Sequence, residues 1–295
     1  MIQTNDAVDH MRGHKPLDRW PKKIEEIRRM EVKEDGWRLV IFKADGLMQA
    51  ITRNGENVWP KIKPRFSDLA DALPDNSMLD GELILSNGPA SAIPTRLKSR
   101  DLDDLVYVVL CCPVWKGEPK QNAFFVHDLL IDDLENRVPS VRRANSTNIV
   151  TDYDLPSSDA LKLRAKKEGH EGYVLKETPL FGWYKVKPTY TVDMVVDHVV
   201  EGTGRNKGRA GALVCKLIGA HENEYSHVTK VGGGLSDRDR KLWWINREHA
   251  KNAVVEVEFQ AVLKNSLQFP RFVRLREDKS MYECTAGQLE GARRQ

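Results

Sequence analysis

The chain has 295 residues, with 46 Lys and Arg against 43 Asp and Glu, and 40% of its residues are apolar. This composition is ordinary for a globular protein, and the length suggests two domains because a domain typically holds about 100 to 200 residues. The apolar runs fall short of the roughly 20 residues of a membrane span and the polar N-terminus lacks a secretory signal, which excludes a membrane protein and predicts the cytoplasm.

The N-terminal part of the sequence begins as short strands joined by turns. From Glu31 onward, the runs EVKEDGWRLVIF and LMQAIT flank Asp45 and Gly46, which predicts a β-hairpin. Asn54 and Gly55 indicate a further turn after the second strand. An antiparallel meander is therefore expected at the start of the first domain.

Helices are few in the rest of this domain. Ser67 can cap a short helix, and Ser158 to Glu168 is the one long helix candidate. The remaining apolar runs predict strands, in the order MLDGELIL, LVYVVLCC, FFVHDLL, GYVLKE and WYKVK. Several antiparallel strands with few helices indicate an α+β domain and not a doubly wound βαβ fold.

After Pro188 the alternation of apolar and polar residues becomes cleaner. Five runs predict strands, TVDMVVDHVV, GALVCKLIG, YSHVTKVG, AVVEVEFQAVL and FPRFVRLRE, and one helix is expected from Ser236 to His249. Five strands and a helix in a segment of this length suit a small closed barrel of the OB type. We therefore expect an α+β domain over residues 1–188 and an OB-fold domain over residues 189–295.

The last predicted strand carries two arginines at alternate positions. Arg274 and Arg276 alternate with Val273 and Leu275. Because alternate side chains of a strand point to opposite faces, both arginines are expected on one face of the barrel and the apolar pair in its core.

Charged residues also alternate along the first predicted strand. Glu31, Lys33 and Asp35 share one face of it, so a lysine lies between two carboxylates, and Gly36 leaves room for a ligand or a bend. A surface ladder of ion pairs would have the same pattern, and K-x-D-G occurs by chance in many chains. The segment becomes informative only together with the rest of the sequence.

The segment K-E-D-G-W-R, from Lys33 to Arg38, resembles the nucleotide-attachment motif of ATP-dependent DNA ligases and related covalent nucleotidyltransferases. Five further segments resemble the other motifs of that family in the same order, namely Arg53–Gly55, Leu79–Glu82, Glu171–Lys176, Trp183–Lys187 and Phe269–Lys279. Six ordered matches argue against chance. The resemblance implies an α+β, antiparallel-sheet nucleotidyltransferase (adenylation) domain followed by an OB-fold β-barrel.

The resemblance implies an activity as well. A minimal two-domain ligase of this family seals a 3′-OH to a 5′-phosphate at a nick in duplex DNA, through lysyl-AMP and DNA-adenylate intermediates. Lys33 would be the nucleophile that attacks the α-phosphate of ATP. Since a free lysine has a pKa near ~10.4, its amine must be made neutral by neighbouring cations, a metal or desolvation. Lys185 and Lys187 would supply positive charge near the same phosphate.

By the same resemblance, Glu82 and Glu171 would bind Mg²⁺ or Mn²⁺, since these ions prefer oxygen ligands and bridge phosphates. Glu31 would read the edge of adenine, and Val174 would pack beneath the base. The family usually has an aromatic residue where this chain has His127. Imidazole can stack on adenine there, or the predicted strand is shifted and Phe125 stacks instead.

Basic residues complete the implied site. Arg38 and Arg53 would contact the nucleotide sugar, its phosphates or the 5′-phosphate of the nick, because a planar guanidinium binds oxygens bidentately. Arg276 and Lys279 would orient the pyrophosphate leaving group. A loop with three cations would contact the phosphates of duplex DNA or form a solvated loop, and its cations are Arg205, Lys207 and Arg209.

Two other classes of protein share parts of this pattern. A messenger-RNA capping enzyme or an RNA ligase also has K-x-D-G, but the ending F-P-R-F-V-R-L-R-E-D-K favours a DNA ligase. A non-catalytic OB-fold protein that binds nucleic acid would leave Lys33, Glu82 and Glu171 unexplained. We expect a monomer that acts on nicked double-stranded DNA in replication, repair or recombination.

Overall fold

The computed structural model of the chain describes residues 2–151, 154–219 and 225–292. The chain divides into two compact units, Met1–Lys187 and Pro188–Gln295. No helix among the described residues combines the length and the apolar character that crossing a membrane requires. The described cysteines are all free thiols and all buried.

The first unit combines helices with two sheets. Its helices are α1 (Thr4–Gly13), α2 (Trp59–Ile62), α3 (Ser67–Ala72), α4 (Ile93–Ser99), α5 (Phe124–Arg137) and α6 (Ser158–Glu168). Its strands are β1 (Arg29–Val32), β2 (Trp37–Ala44), β3 (Leu47–Thr52), β4 (Ser77–Leu85), β5 (Leu105–Trp115), β6 (Glu118–Pro119), β7 (Val141–Arg143), β8 (Ser146–Asn148), β9 (Tyr173–Lys176) and β10 (Trp183–Val186). One sheet has the order β3-β2-β4-β5-β6, with β7 parallel to β5, and the other has the order β10-β9-β1-β8.

The larger sheet is covered on both faces, because successive side chains of β2 pack into two different hydrophobic cores. Leu39 and Ile41 belong to a core that includes residues of α2, α3 and α5, whereas Val40 and Phe42 pack against α1. The β2–β3 turn has positive φ at both Asp45 and Gly46, the requirement of a two-residue hairpin turn. The hairpin predicted from the sequence is therefore confirmed.

The smaller sheet brings three motif segments side by side. Strand β1 pairs with β9, and β9 pairs with β10, in antiparallel register. Glu31, Val174 and Lys185 are direct partners across these strands and form one row. Because cross-strand partners share a face, these three side chains are neighbours on one surface of the sheet.

The predicted helices form at α3 and α6, but the strand predicted at α5 is wrong. Helix α3 begins at Ser67 and its N-cap is Phe66, so the prediction that Ser67 caps this helix is also wrong. Helix α6 runs from Ser158 to Glu168, and its N-cap Ser157 accepts a hydrogen bond from the backbone of Ala160. The run FFVHDLL is helical and not a strand, since it opens the 14-residue helix α5. The buried residues of α5 are spaced by three and four positions, as in a helix. This spacing becomes visible only beyond the short apolar run from which a strand was predicted.

The described residues of the second unit form a five-stranded antiparallel barrel, a separate two-stranded sheet and one α-helix. The elements of this unit are β11 (Tyr190–Glu201), β12 (Ala210–Ile218), β13 (Tyr225–Val231), α7 (Asp237–Ile245), β14 (Val254–Phe259), β15 (Ala261–Val262), β16 (Leu267–Gln268) and β17 (Arg271–Leu275). The order β13-β12-β11-β14-β17 closes through a parallel bridge between Gly233 and Arg271, and β15 pairs with β16 in the separate sheet. A capping box at Ser236 begins α7.

The alternation expected in the last strand is not kept. Val273 and Leu275 are 47% and 42% exposed, so the prediction that both enter the core is wrong. A register shift between Glu256 and Val257 leaves Val273 as an extra residue opposite β14. Such a bulge breaks the two-residue period, and Phe272 packs against the core instead.

Candidate active site

A cavity of about 590 Å³ opens in the first unit. Its charged lining residues are Lys15, Glu31, Lys33, Glu34, Arg38, Arg53, Glu56, Glu82, Lys176, Lys185 and Lys187. Trp37, Leu110, Val174 and Trp183 provide an apolar part of the wall. Since cations outnumber carboxylates and part of the wall is apolar, the cavity suits an anionic ligand that also has an apolar surface.

Lys33 follows β1 and is fixed at both its backbone and its side chain. Its backbone N–H donates to Gly172 O at 2.9 Å, and its Nζ donates to Glu171 Oε2 at 2.6 Å. Gly172 has a φ of +150°, and a Cβ there would lie 2.2 Å from Val186 O. Only glycine therefore permits the close approach of the backbone at residue 172 to the backbone at Val186, and the carbonyl of this glycine holds Lys33.

Glu171 joins two of the predicted lysines. Its Oε1 lies 2.6 Å from Lys187 Nζ, while Oε2 accepts from Lys33. Burial raises the pKa of this carboxyl, but Lys33 and Lys187 lower it more, so the pKa lies below the usual value. The structure thus brings Lys33, Lys187 and Glu171 together. Lys185 instead lies 3.4 Å from Asp18.

Glu82 is the uncompensated carboxylate of the cavity. It makes no hydrogen bond or ion pair with any residue that the structure describes, and burial raises its pKa to about 7 against the effects of Lys33 and Arg38. A Cβ on Gly36 would lie 2.6 Å from Glu82 Cγ, so this glycine makes room for the carboxylate. A half-buried carboxylate without a partner is suited to a cation.

Glu31 and Lys176 form a buried ion pair at the wall of the cavity. Glu31 Oε2 lies 2.7 Å from Lys176 Nζ, at ion-pair distance but without hydrogen-bond geometry. Lys176 is fully buried, donates to Leu110 O at 3.2 Å and lies 4.0 Å from the centre of the Trp183 ring. Lys176 is the last residue of the motif segment Glu171–Lys176, and this position is the one sequence signal for its place at the site.

The two arginines expected at the nucleotide differ in their freedom. Arg38 donates from Nε and Nη2 to Asp80 at 3.0 and 2.5 Å, and from Nη1 to His14 O at 2.9 Å. Arg53 is exposed at the turn after β3, lines the cavity and makes no ion pair within the described ranges. Arg53 is therefore free to move toward a ligand, whereas Arg38 is held in place.

His127 does not reach the cavity, which contradicts the expectation that it stacks on a base. It is 1% exposed within α5, where Nδ1 accepts from the backbone N–H of Cys112 and Nε2 lies 2.9 Å from Gln121 O. Burial lowers its pKa. Phe125, the alternative, is 69% exposed and does not line the cavity. The helix, in place of the predicted strand, directs His127 into the core.

The other predicted residues belong to the second unit. Arg276 pairs with Asp193 and Asp278, each at 2.9 Å, and Lys279 pairs with Glu283 at 3.1 Å. The cations of the loop between β11 and β12 are exposed, namely Arg205, Lys207 and Arg209.

Family models match both units of the chain. Residues 15–135 match the ATP dependent DNA ligase domain, and residues 201–276 match the DNA ligase OB-like domain. A DNA ligase from Thermococcus fumicolans is 26% identical, with 86% of this chain and 52% of the relative covered. A probable DNA ligase from Streptomyces griseus is 27% identical, with 86% and 58% covered. The chain spans little more than half the length of these relatives.

Solved structures have the same fold. One titled Pmar-Lig_Pre has a TM-score of 0.70 at 23% identity, over 90% of this chain and 68% of that chain. Another, from a study of DNA binding with a minimal scaffold by Lig E DNA ligases, has a TM-score of 0.61 at 20% identity, over 89% and 99%. These likenesses confirm the predicted fold class, an α+β adenylation domain followed by an OB-like barrel.

Proposed function

The chain belongs to the ATP-dependent DNA ligase family, and from this premise we propose that it seals nicks in duplex DNA with ATP as the AMP donor. The reaction joins a 3′-OH to a 5′-phosphate through lysyl-AMP and DNA-adenylate intermediates. The observation that carries the proposal is the pairing of Lys33 and Lys187 with the two oxygens of Glu171, at 2.6 Å each, beside the cavity.

Lys33 is the nucleophile of the first step. Its amine, once neutral, attacks the α-phosphorus of ATP, so that an N–P bond forms and the bond from that phosphorus to the bridging oxygen breaks. Pyrophosphate leaves with the bridging oxygen, and the nitrogen, which is positively charged after the attack, loses one proton to solvent. Glu171 holds the amine in place, and Lys185 and Lys187 stabilise the negative charge of the reacting phosphate.

The carboxylates of the cavity fit a divalent cation. Glu82 fits best, because it is unpartnered among the described residues and its ionisation is unfavourable without a cation. Both oxygens of Glu171 contact lysines, so this residue would hold a metal only by exchanging a lysine contact. We infer that the ion is Mg²⁺, which when bound would neutralise phosphate charge.

The row of Glu31, Val174 and Lys185 supports binding of the base at Glu31 and Val174 and of the phosphates at Lys185. Val174 is apolar and nearly buried, which suits packing against a base. The carboxylate of Glu31 only accepts hydrogen bonds, so it fits the amino group of adenine and repels the 6-oxo group of guanine. This chemistry favours ATP over GTP and disfavours a capping enzyme.

Exposed cations of both units are proposed to contact DNA. Arg53 at the cavity, and Arg205, Lys207 and Arg209 in the barrel, would pair with phosphates of the nicked duplex, and such contacts weaken as salt is raised. Arg276 and Lys279 would orient the pyrophosphate leaving group by exchanging their present carboxylate partners for phosphate oxygens. We infer that the chain acts as a monomer.

Intact mass spectrometry tests this proposal. The protein is first treated with pyrophosphate to remove AMP, then incubated with magnesium and ATP, GTP or NAD. We expect one AMP per chain from ATP, lost on addition of nicked DNA, absent in Lys33→Ala and retained in Lys22→Ala, a matched exposed lysine. A GMP adduct would indicate capping chemistry, and a wild-type protein without any adduct would contradict the proposal.

A further inference from the structure

The helix α1 lies outside the six motifs, yet it brings a polar side chain to one of them. Ala7 and Met11 pack α1 onto the larger sheet against Val40 and Phe42. On the same helix, His10 Nε2 lies 3.0 Å from Asp80 Oδ2. An ionised carboxylate only accepts, so His10 is the donor of this hydrogen bond.

Asp80 accepts hydrogen bonds from Arg38 as well as from His10. Its side chain is fully buried and accepts from Arg38 Nε at 3.0 Å and from Nη2 at 2.5 Å. The C-terminal end of α1 supports the same guanidinium, because His14 O accepts from Arg38 Nη1 at 2.9 Å. The rings of His10 and His14 stack with centroids 4.0 Å apart. Arg38 is thus held by the motif residue Asp80 and by the segment around α1.

We propose that His10 is a positioning residue for the ligase reaction: through Asp80 it fixes the Arg38 guanidinium at the wall of the cavity. This inference rests on the proposed function for its kinetic consequence. Three of the five N–H donors of Arg38 are engaged, which leaves one on Nη1 and one on Nη2 for a ligand in the cavity that Arg38 lines. His10 sets the plane of the carboxylate, and the carboxylate sets the plane of the guanidinium.

The same cluster could be mistaken for a metal site. His10, Asp80 and Cys111 have potential ligand atoms within 4.8 Å of one another. However, Arg38 already supplies a positive charge to both oxygens of Asp80. Burial also raises the pKa of the Cys111 thiol well above its usual value, so the thiol stays protonated. The cluster is therefore a hydrogen-bonded support for Arg38.

The kinetic test compares His10→Leu, which removes the donor, with His10→Gln, which restores an N–H near the position of Nε2. Enzyme-AMP formation is followed over a range of ATP concentrations. We expect the rate at saturating ATP to fall about tenfold in His10→Leu, with the KM for ATP changed by less than about twofold, and to recover in His10→Gln. Arg12→Gln, on the solvent side of α1, should match the wild type.

A spectroscopic arm does not depend on the proposed function. The Nε–H resonance of Arg38 is assigned by its loss in Arg38→Lys, and its exchange with water is measured without nucleotide. Exchange should quicken in His10→Leu and remain slow in His10→Gln. Unchanged exchange and unchanged rate in a folded His10→Leu protein would overturn the inference. A wild type without an AMP adduct would overturn the proposed function alone, because the resonance would still report the positioning of Arg38.

Discussion

The buried pair of Asp80 and Arg38 allows a quantitative prediction. The Asp80 side chain is fully buried and that of Arg38 is 6% exposed. Substitution Asp80→Asn removes the negative charge and leaves the guanidinium without a counter-ion. Because breaking a buried pair by removal of one partner costs about 3 to 5 kcal/mol, we expect the free energy of unfolding of the first unit to fall by about 3 kcal/mol at pH 7.

The loss should depend on pH with a defined sign. Burial would raise the pKa of Asp80, but Arg38 and His10 hold it well below its usual range. A carboxyl whose pKa is lowered in the folded state stabilises that state above its unfolded pKa of about 3.9, and the stabilisation declines as the pH falls below that value. The difference between wild type and Asp80→Asn should therefore be present at pH 5 and shrink below pH 4.

Urea unfolding followed by circular dichroism measures both quantities, with the two units fitted as separate transitions. Asp101→Asn is the control, since its pair with Arg96 lies at the surface and should change the free energy of unfolding by less than about 1 kcal/mol. A loss below about 1 kcal/mol in Asp80→Asn, or a loss that stays the same at pH 3, would show that the charge of Asp80 does not stabilise the first unit through Arg38.

Three further substitutions test the cavity. Because burial raises the pKa of Glu82 to about 7, its ionisation destabilises the ligand-free fold increasingly from pH 4.5 to 7. The free energy of unfolding of Glu82→Gln, measured in urea, should exceed that of the wild type by about 2 kcal/mol at pH 8 and equal it at pH 4. Gly172→Ala places a Cβ 2.2 Å from Val186 O and should reduce enzyme-AMP formation more than about tenfold in a stopped-time mass assay. Lys15→Ala should raise the KM for ATP about fivefold, whereas Lys22→Ala should not, because only Lys15 lines the cavity.

Local patterns in the sequence predicted much of the fold and the order of the site segments. Asp45 and Gly46 specify their hairpin through backbone conformation alone, and Ser157 with Gly169 delimits α6. Such features depend on neighbouring residues, so they can be read without a structure. The ordered motifs likewise assigned Glu31 and Val174 to one nucleotide site, and these two residues are direct partners across β1 and β9.

Long-range contacts were beyond sequence reasoning. His127 was placed on a strand because a short apolar run does not distinguish a strand from a buried helix. Val273 was expected in the core because apolar and charged residues alternate along the last strand. This alternation does not reveal the bulge opposite β14 that breaks the two-residue period. His10 contacts Asp80 across 70 residues of sequence, and no local pattern marks that contact.

Sealing of a labelled nick measures the proposed ligase activity directly. A duplex with a 5′-labelled phosphate at the nick is incubated with ATP and magnesium, and the strands are separated under denaturing conditions. We expect a joined strand with wild type and none with Lys33→Ala, which should still join a strand that already carries 5′-AMP. A wild type that joins neither substrate, or a Lys33→Ala protein that seals the nick with ATP as fast as wild type, would contradict the proposed activity.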